Sequence, residues 1–576
     1  MKHHHQFASP HSEGPSRQLC TTEIISSDMT SKAILFFLYA WIGIFFWTPM
    51  IWGLTSPPSP MLLSRIRQAM TTSTRSANNI TAAYEACQQW QDILQDDGPA
   101  SSLDVNIVAI CRALQASCLV RIGRDDQAIG VYDQALQLKA CLDEKTRQDV
   151  SLGKAQALQR LLRYDEAKEQ FLQTASSLER GALGAATCAL RLSDVDDAIA
   201  ILRQYCSREL YNTGQAGGML ATLLVLNSEM SAQTARPLLE QASETSVLYR
   251  WISHVLYRPT NSVSETAGNP TFLDLIKINQ SPNDDPSLIQ LDDKVNLHKL
   301  LQNDNSSKTA SFWPRGIILP AEHKKLQNLN ADDGLWICKQ RAGYGSHGNQ
   351  IVTTKEVVTL ITREECLLQQ MVDPPLLLEG RKFSLRIYVV SFGDTGLFIS
   401  TRGLVKLASV PAAEGDDDAN DERVHMTNSG RETHMMQHDL QYLQRQFQQS
   451  GLSYDAFWKD LRQAIGTVMK VYSKEKATRL QGGADWDEKL SRLGIPKIMG
   501  FDFVVDGACQ PWLVEVNRFP GLEPRDDSDR QVKHQVVRDA WMSAAKRLGI
   551  EYHPMQDILD GLDCYDSTAI SSLERI

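Results

Sequence analysis

The chain has 576 residues, of which 42% are hydrophobic and 22% charged, and a formal net charge of −10. That length suffices for two or three domains with sizeable cores, and the mild acidity excludes a general affinity for nucleic acid, so any acidic partner needs a local basic patch. The 11 cysteines lie scattered, without a CxxC pair or a cluster with histidine, which excludes a zinc-ligand pattern and fits reduced thiols better than a disulfide framework. The first element in chain order is apolar. Ala33 to Leu54, AILFFLYAWIGIFFWTPMIWGL, is uncharged over 22 residues, enough to cross a bilayer core of about 30 Å. Trp41, Trp47 and Trp52 supply aromatic anchors. A cleaved signal peptide competes with this reading, but the 32 preceding residues are long for its basic leader. The expectation is a tail over 1–32, a single transmembrane helix over 33–54 and a linker over 55–76. Arg65 and Arg67 against Arg17 and Lys32 lean slightly towards a cytosolic carboxyl side.

From about 77 to 257 the chain reads as helix after helix. Three segments share a pattern in which alanine precedes a large residue by four: Ala128 with Tyr132, Ala167 with Phe171, and Ala198 with Leu202. The alanines are offset by 39 and then 31 residues (128 to 167 to 198), which averages near the tetratricopeptide period of about 34. Small-then-large at helical spacing lets paired helices pack closely and stack, so the region resembles tetratricopeptide repeats and would recruit a protein partner; an ordinary helical bundle is the other reading. Pro, Asn, Ser and Asp mark a linker over 258–286. Strands and helices then mix in an α+β domain over 287–552, followed by a tail over 553–576. Glu414 to Glu422, EGDDDANDE, is an acidic loop of the kind that is usually solvated.

Within that domain, LWICKQRAGYGSHGNQIV places Gly343, Gly345 and Gly348 between two strand-like runs. A dinucleotide fingerprint needs a helix opening in the loop; here Gln350 to Val352 look like a returning strand, so the loop reads as a flap that lets backbone N–H groups approach phosphates. Lys339 on the incoming strand would add a point charge. Further on, Lys382, Ser384, Arg386 and Tyr388 alternate with Phe383, Leu385, Ile387 and Val389, a basic face backed by a core face. Arg402 and Lys406 follow. Between Arg381 and Lys406 only Asp394 is acidic, so this is the patch suited to phosphate or carboxylate, although a plain solvated strand face has the same pattern.

The last motif, GFDFVVDGACQPWLVEVNRFPG, reads as a β-hairpin over Phe501–Asp506 and Pro511–Asn517. Alternation puts Asp502, Val504 and Asp506 on one face, and Leu513, Glu515 and Asn517 on one face of the partner. A loop of two or four residues centred between Ala508 and Cys509 would set Asp502 opposite Glu515. Two opposed carboxylates in an apolar setting repel. A divalent cation removes the objection, and oxygen ligands suit Mg²⁺ bridging substrate phosphates; two solvated acids on an edge hairpin are the alternative.

The order of parts from about Leu288 to Lys546 resembles the tubulin-tyrosine ligase-like family, amino-acid ligases of the ATP-grasp fold. The resemblance is carried by Lys294 in DKVNLHKLL, then FWPRGIILP, LWICKQRAGYGSHG, PPLLLEGRKFSLRIYV, GLVKLAS, HMTNSG, GFDFVVDG and WLVEVNRFPG. It implies that Lys294, Lys339 and Lys382 contact ATP phosphates, with Gly343 to Gly348 as the flap and Gln369, Gln370, Met371 and Val372 as the adenine hinge. It implies that Arg386 faces the γ-phosphate and the reacting carboxylate, that Asp502, Glu515 and Asn517 hold Mg²⁺, and that His425, Thr427 and Asn428 occupy the family's His-x-Thr-Asn motif on the substrate side. Departures stand at Ser384, where the family usually has Asp, at Met371, where an aromatic is common, and at Arg402 and Lys406, where many members carry Glu and Arg. The function implied is ATP-dependent addition of an amino acid, glutamate on family grounds, to tubulin or another acidic protein, from a membrane-anchored chain whose repeat and ligase domains face the cytosol. A membrane-anchored repeat scaffold that binds nucleotide without turnover is the alternative.

Overall fold

The computed structural model describes residues 60–75, 80–95, 105–121, 124–138, 143–161, 163–192, 194–207, 214–257, 271–279, 288–303, 309–329, 334–341, 349–357, 365–393, 396–412, 422–425, 427, 436–479, 489, 491–551, 553–564 and 571–576. The apolar run 33–54 lies outside them, and among the described residues no helix is long and apolar enough to cross a membrane.

From Pro60–Arg75 to Val247–Tyr257 the described chain is helical, consecutive helices packing on one another. The small-then-large pattern is the packing code. Ala128, Ala167 and Ala198 are fully buried, and Tyr132, Phe171 and Leu202 are at most 5% exposed. The large residues also need room on the next helix. A Cβ on Gly153 would lie 2.6 Å from the Tyr132 hydroxyl, and one on Gly184 would lie 2.5 Å from the Phe171 ring. Each glycine is therefore the socket for the preceding helix's knob, at a helical cost of about 1 kcal/mol against alanine.

Beyond the array, two antiparallel sheets face each other. The smaller has the order β1 (Gly316–Leu319), β4 (Cys366–Gln370), β2 (Leu335–Gln340), β3 (Gln350–Thr353). The glycine-rich stretch does connect two strands: β2 pairs with β3, Cys338 opposite Gln350, and Gly343, Gly345 and Gly348 themselves lie outside the described residues. The larger sheet has the order β10 (Leu573–Arg575), β6 (Leu397–Leu407), β5 (Phe383–Ser391), β8 (Lys497–Val505), β9 (Pro511–Asn517), with β7 (Gln437–Asp439) also on β6. Helices Lys294–Asn303 and Tyr454–Arg479 share an apolar core with one face of the larger sheet, and helix Asp527–Leu548 packs with the array's last helices against the other.

Four stretches expected to be linker or tail carry structure. Pro60–Arg75, inside the expected linker 55–76, is a helix with Leu62, Ile66 and Met70 buried, and Gln556–Asp560, inside the expected tail 553–576, is a helix with Ile558 and Leu559 buried. Phe272–Asn279, inside the expected linker 258–286, is a helix whose Leu275, Ile276 and Ile278 are buried. The stretch 573–575, inside the expected tail 553–576, is an edge strand, Leu573 opposite Ser400. All but the first are short, so a helical or strand period has too few residues to show in the sequence.

Candidate active site

The site is built on one row across the larger sheet. Arg386 on β5 pairs with Asp502 on β8, which pairs with Glu515 on β9, so neighbouring strands about 4.8 Å apart hold the three side chains abreast. Arg386 donates to Asp502 through Nε and, at 2.7 Å, through Nη2; Asn517 Nδ2 adds a longer contact of 3.4 Å to the same carboxylate. Glu515 pairs with Lys294 Nζ at 3.3 Å. Burial alone would raise the carboxyl pKa of Asp502, but the Arg386 and Lys406 charges and its hydrogen bonds hold it below the usual range.

The expected facing of the two acids is present, reached by a different route. Near the turn the register is Phe503 opposite Leu513 and Val504 opposite Trp512, and it shifts before Asp502 meets Glu515. The turn therefore runs from Asp506 to Gln510, with Cys509 in the left-handed region at φ +67°, and Val514 is a bulge residue without a partner across the ladder. The bulge corrects the expected face pattern: Leu513 does not share a face with Glu515 but is fully buried in the core beside Phe503. A bulge frees the extra residue's backbone groups, and the Val514 carbonyl accepts from Lys339 Nζ at 3.0 Å.

Lys339 reaches across from β2 of the smaller sheet, where it also donates to Gln369 Oε1 at 2.6 Å. Burial pushes its pKa down to about 8. Lys294 is 5% exposed, and burial would lower its pKa too, but Glu515 and Asp292 outweigh that and raise it. Lys382, its pKa lowered by burial, lies 2.7 Å from His425 Nδ1. Between the sheets is a cavity of about 120 Å³, walled by Lys339, Gln369 and Met371 on one side and by Lys382, Asp502 and Glu515 on the other. Gln370, Val372, Ser384, His425 and Thr427 also line it, so hinge, basic strand and hairpin converge as the sequence implied. Two wall atoms, Gln369 Nε2 and Asn349 Oδ1, are buried without a hydrogen-bond partner among the described residues. One is a free donor on β4 and the other a free acceptor next to β3, with β2 between them, and a polar ligand in the cavity would satisfy them.

The substrate-side expectations divide. Thr427 donates to Ser384 Oγ at 2.7 Å, so two hydroxyls meet where the family usually has an aspartate; Asn428 and, except for Glu422, the acidic loop lie outside the described residues. Lys406 is not the exposed patch cation expected. It is 6% exposed, opposite Ser384 on β6, and burial with the neighbouring Arg386 pushes its pKa down to about 8. Arg402 lies in an irregular stretch of β6: Ile387 pairs with Gly403 and Val389 with Ile399, leaving Ser400 to Arg402 opposite Tyr388 alone, while the register from Gly403 to Lys406 is regular. Nor is the strand's basic face solvated, since Ser384 is buried and Tyr388 is fully buried in the core shared with the helical array.

Three functional features escaped the sequence reading: the Val514 bulge, Asn349, and Asp292, which accepts from the Arg518 backbone N–H at 3.1 Å and raises the Lys294 pKa. The DK pair at Asp293-Lys294 drew attention one residue past Asp292. Among the described residues no three His, Cys, Asp or Glu side chains cluster as a metal site. Two carboxylates and an amide are nevertheless a fitting donor set for Mg²⁺, which keeps several ligands from water and phosphate.

Residues 274–546 match the tubulin-tyrosine ligase family. Among curated proteins the chain is similar to the Mus musculus tubulin monoglutamylase TTLL4, 27% identical over 291 residues covering 46% of this chain and 23% of that protein. It is similar to the Homo sapiens tubulin polyglutamylase TTLL6, 25% identical over 247 residues (40% and 27%), and to the Mus musculus tubulin polyglutamylase TTLL5, 24% identical over 291 residues (47% and 21%). The matched part thus spans roughly a quarter of these relatives' length. With the two-sheet cleft and its row of Arg386, Asp502 and Glu515, residues 274–546 form a tubulin-tyrosine ligase family domain.

Proposed function

We propose that the chain is an ATP-dependent amino-acid ligase that adds glutamate to a carboxylate of tubulin or another acidic protein. The γ-phosphoryl group of ATP passes to the acceptor carboxylate, releasing ADP; the glutamate amine attacks the acyl phosphate, an amide bond forms, and phosphate leaves with the proton balance completed by water. Mg²⁺, held by Asp502, Glu515 and Asn517, would neutralise charge on the transferring phosphates. Lys294, Lys339 and Lys382 bind the phosphates, Gln369 and Asn349 take the purine edge, and Arg386 stands where the phosphoryl group and the acceptor carboxylate meet. The relatives' printed names as tubulin glutamylases support the choice of amino acid and acceptor. The observation that carries the reading is the abreast row of Arg386, Asp502 and Glu515, with Lys294 paired to Glu515 and with Asp502 and Glu515 lining one cleft together with Lys339 and Lys382.

The test is transfer of labelled glutamate to tubulin by the full chain with ATP and Mg²⁺. Incorporation that requires both supports the reading; saturable ATP binding without incorporation or ADP release, on tubulin and on acidic peptides alike, would favour the nucleotide-binding scaffold. We further propose that the uncharged run 33–54 anchors the chain with the later residues on the cytosolic side. Proteolysis of sealed vesicles checks this: a protected ligase domain would contradict it.

A further inference from the structure

A cavity of about 690 Å³ lies apart from the cleft between the two sheets. It opens between the helical array and the larger sheet, with Arg191 and Leu248 of the array on one side and Lys497 of β8 on the other. Five residues of β8 separate Lys497 from Asp502, about 16 Å at roughly 3.3 Å per residue, so the two sites are distinct. One wall is a single stripe of helix Tyr454–Arg479: Gly466, Met469, Lys470, Ser473 and Lys476, spaced three or four apart.

That stripe is polarised. At its start Gly466 leaves the wall open, since a Cβ there would meet only Ile576 Cγ2, at 3.2 Å, and Met469 is buried. Ten residues on, about 15 Å along the axis, the lining is serine and lysine, with Lys470 and Ser473 exposed. Leu248, Leu493 and Met499 are further apolar residues of the lining, and Arg191 and Lys497 are further cations, Lys497 Nζ donating to the Asn279 carbonyl at 2.8 Å. Among the described residues that line the cavity, none has a carboxylate side chain. A cavity within the usual ligand-site range of about 300–1,000 Å³, with one helix wall that runs from Gly466 and Met469 to Ser473 and Lys476, is complementary to an elongated molecule that is apolar at one end and anionic at the other.

We propose that this cleft binds an anionic amphiphile, a single acyl chain ending in a carboxylate or phosphate head, and so joins the helical array to the ligase-family domain. The chain would lie along Gly466 and Met469 with its head among Lys470, Ser473 and Lys476. Because the ligand touches both parts, its binding stabilises their union by mass action, independently of whether the nucleotide cleft turns over.

The test is calorimetric titration of the full chain with oleate below its critical micelle concentration, together with thermal unfolding. The expected result is saturable binding near one per chain and a raised melting temperature. Gly466→Leu fills the open wall and should abolish binding; the exposed Lys470→Glu with Lys476→Glu should weaken it at least tenfold and supplies the answer if the leucine variant does not fold. Oleyl alcohol should bind at least tenfold more weakly than oleate. Lysophosphatidate in the same titration tells a phosphate-headed source from a free fatty acid. Absence of saturable binding by both oleate and lysophosphatidate, binding unchanged by the lysine reversals, or equal binding of the alcohol would each overturn the proposal.

Discussion

At the residue scale the site consists of charges held where water cannot compensate them, and each is exposed to a specific change. Glu515→Gln keeps volume and removes ligand charge. Lys294 retains Asp292 nearby, so the fold should survive, while glutamate ligation should fall by at least about 100-fold, since metal-held charge stabilisation is worth several kcal/mol and about 1.4 kcal/mol is tenfold. Labelled-glutamate incorporation beside a melting curve decides it; activity within a few-fold of the parent would remove the hairpin from the metal site. Lys339 gives a pH signature. Burial holds it near 8 in the folded chain against about 10.4 for a free lysine, and only the protonated form attracts phosphate. Because kcat/KM reports the free enzyme, kcat/KM for ATP should decline as pH rises through about 8. Lys406 is held near 8 as well, so the arginine variants separate the two. Lys339→Arg stays charged and should move the limb above pH 9, whereas a limb that moves only in Lys406→Arg would assign the titration to Lys406. Lys406 also faces the row of Arg386, Asp502 and Glu515 rather than solvent, so Lys406→Ala should impair use of ATP and acceptor together, with little relief or penalty from added salt.

At the element scale the hairpin shows how much was legible and where legibility stopped. The apolar runs, the turn at Asp506 and the opposition of Asp502 to Glu515 follow from residue pattern alone. The bulge does not, because inserting Val514 at the active-site end and shortening the register at the turn end leave the same two residues opposed; the side chains between them change face, and only packing decides that Leu513 belongs with Phe503. The same distinction holds elsewhere. Alternation from Lys382 into β5 put Ser384 and Arg386 on one face with that lysine but could not show that the face is covered, since a second sheet and an array distant in sequence cover it. The bulge predicts its own phenotype. Deleting Val514 would keep Asp502 opposite Glu515 and remove the residue whose carbonyl receives Lys339. The KM for ATP should rise at least about tenfold, as one charge-assisted hydrogen bond of about 1.5–3 kcal/mol is lost, with the Mg²⁺ requirement unchanged. A variant that loses its Mg²⁺ dependence instead would mean that the bulge sets the metal row itself.

At the scale of the whole molecule, array and ligase-family domain are not beads on a linker. β8 runs beyond the end of β9: Gly500 pairs with Asn517, and Lys497 to Met499 continue with an open edge. An open edge needs covering, and Asn279, on the helix inside the expected linker, covers it. Its amide accepts from the Ile498 N–H at 2.8 Å and donates to the Ile498 carbonyl at 3.0 Å, imitating a strand, while Lys497 Nζ donates to the Asn279 carbonyl at 2.8 Å. Trp251 of the array's last helix donates to the Leu493 carbonyl at 2.8 Å and packs edge-on against Trp541 at 5.1 Å. One apolar core therefore runs from the repeats into the sheet that holds the site, and the two parts should unfold as one unit. Asn279→Ala leaves both Ile498 groups buried and unpaired, at about 1–3 kcal/mol each, and Trp251→Ala removes a fully buried aromatic at about 3–5 kcal/mol. Calorimetry of the full chain should show a single transition that moves down in both variants. Hydrogen exchange should quicken at the β8 amides even though Trp251 lies in the array. Two separate transitions, with only the array's shifted by Trp251→Ala and β8 protection unchanged, would mean that the repeats dock on a ligase domain that is stable without them.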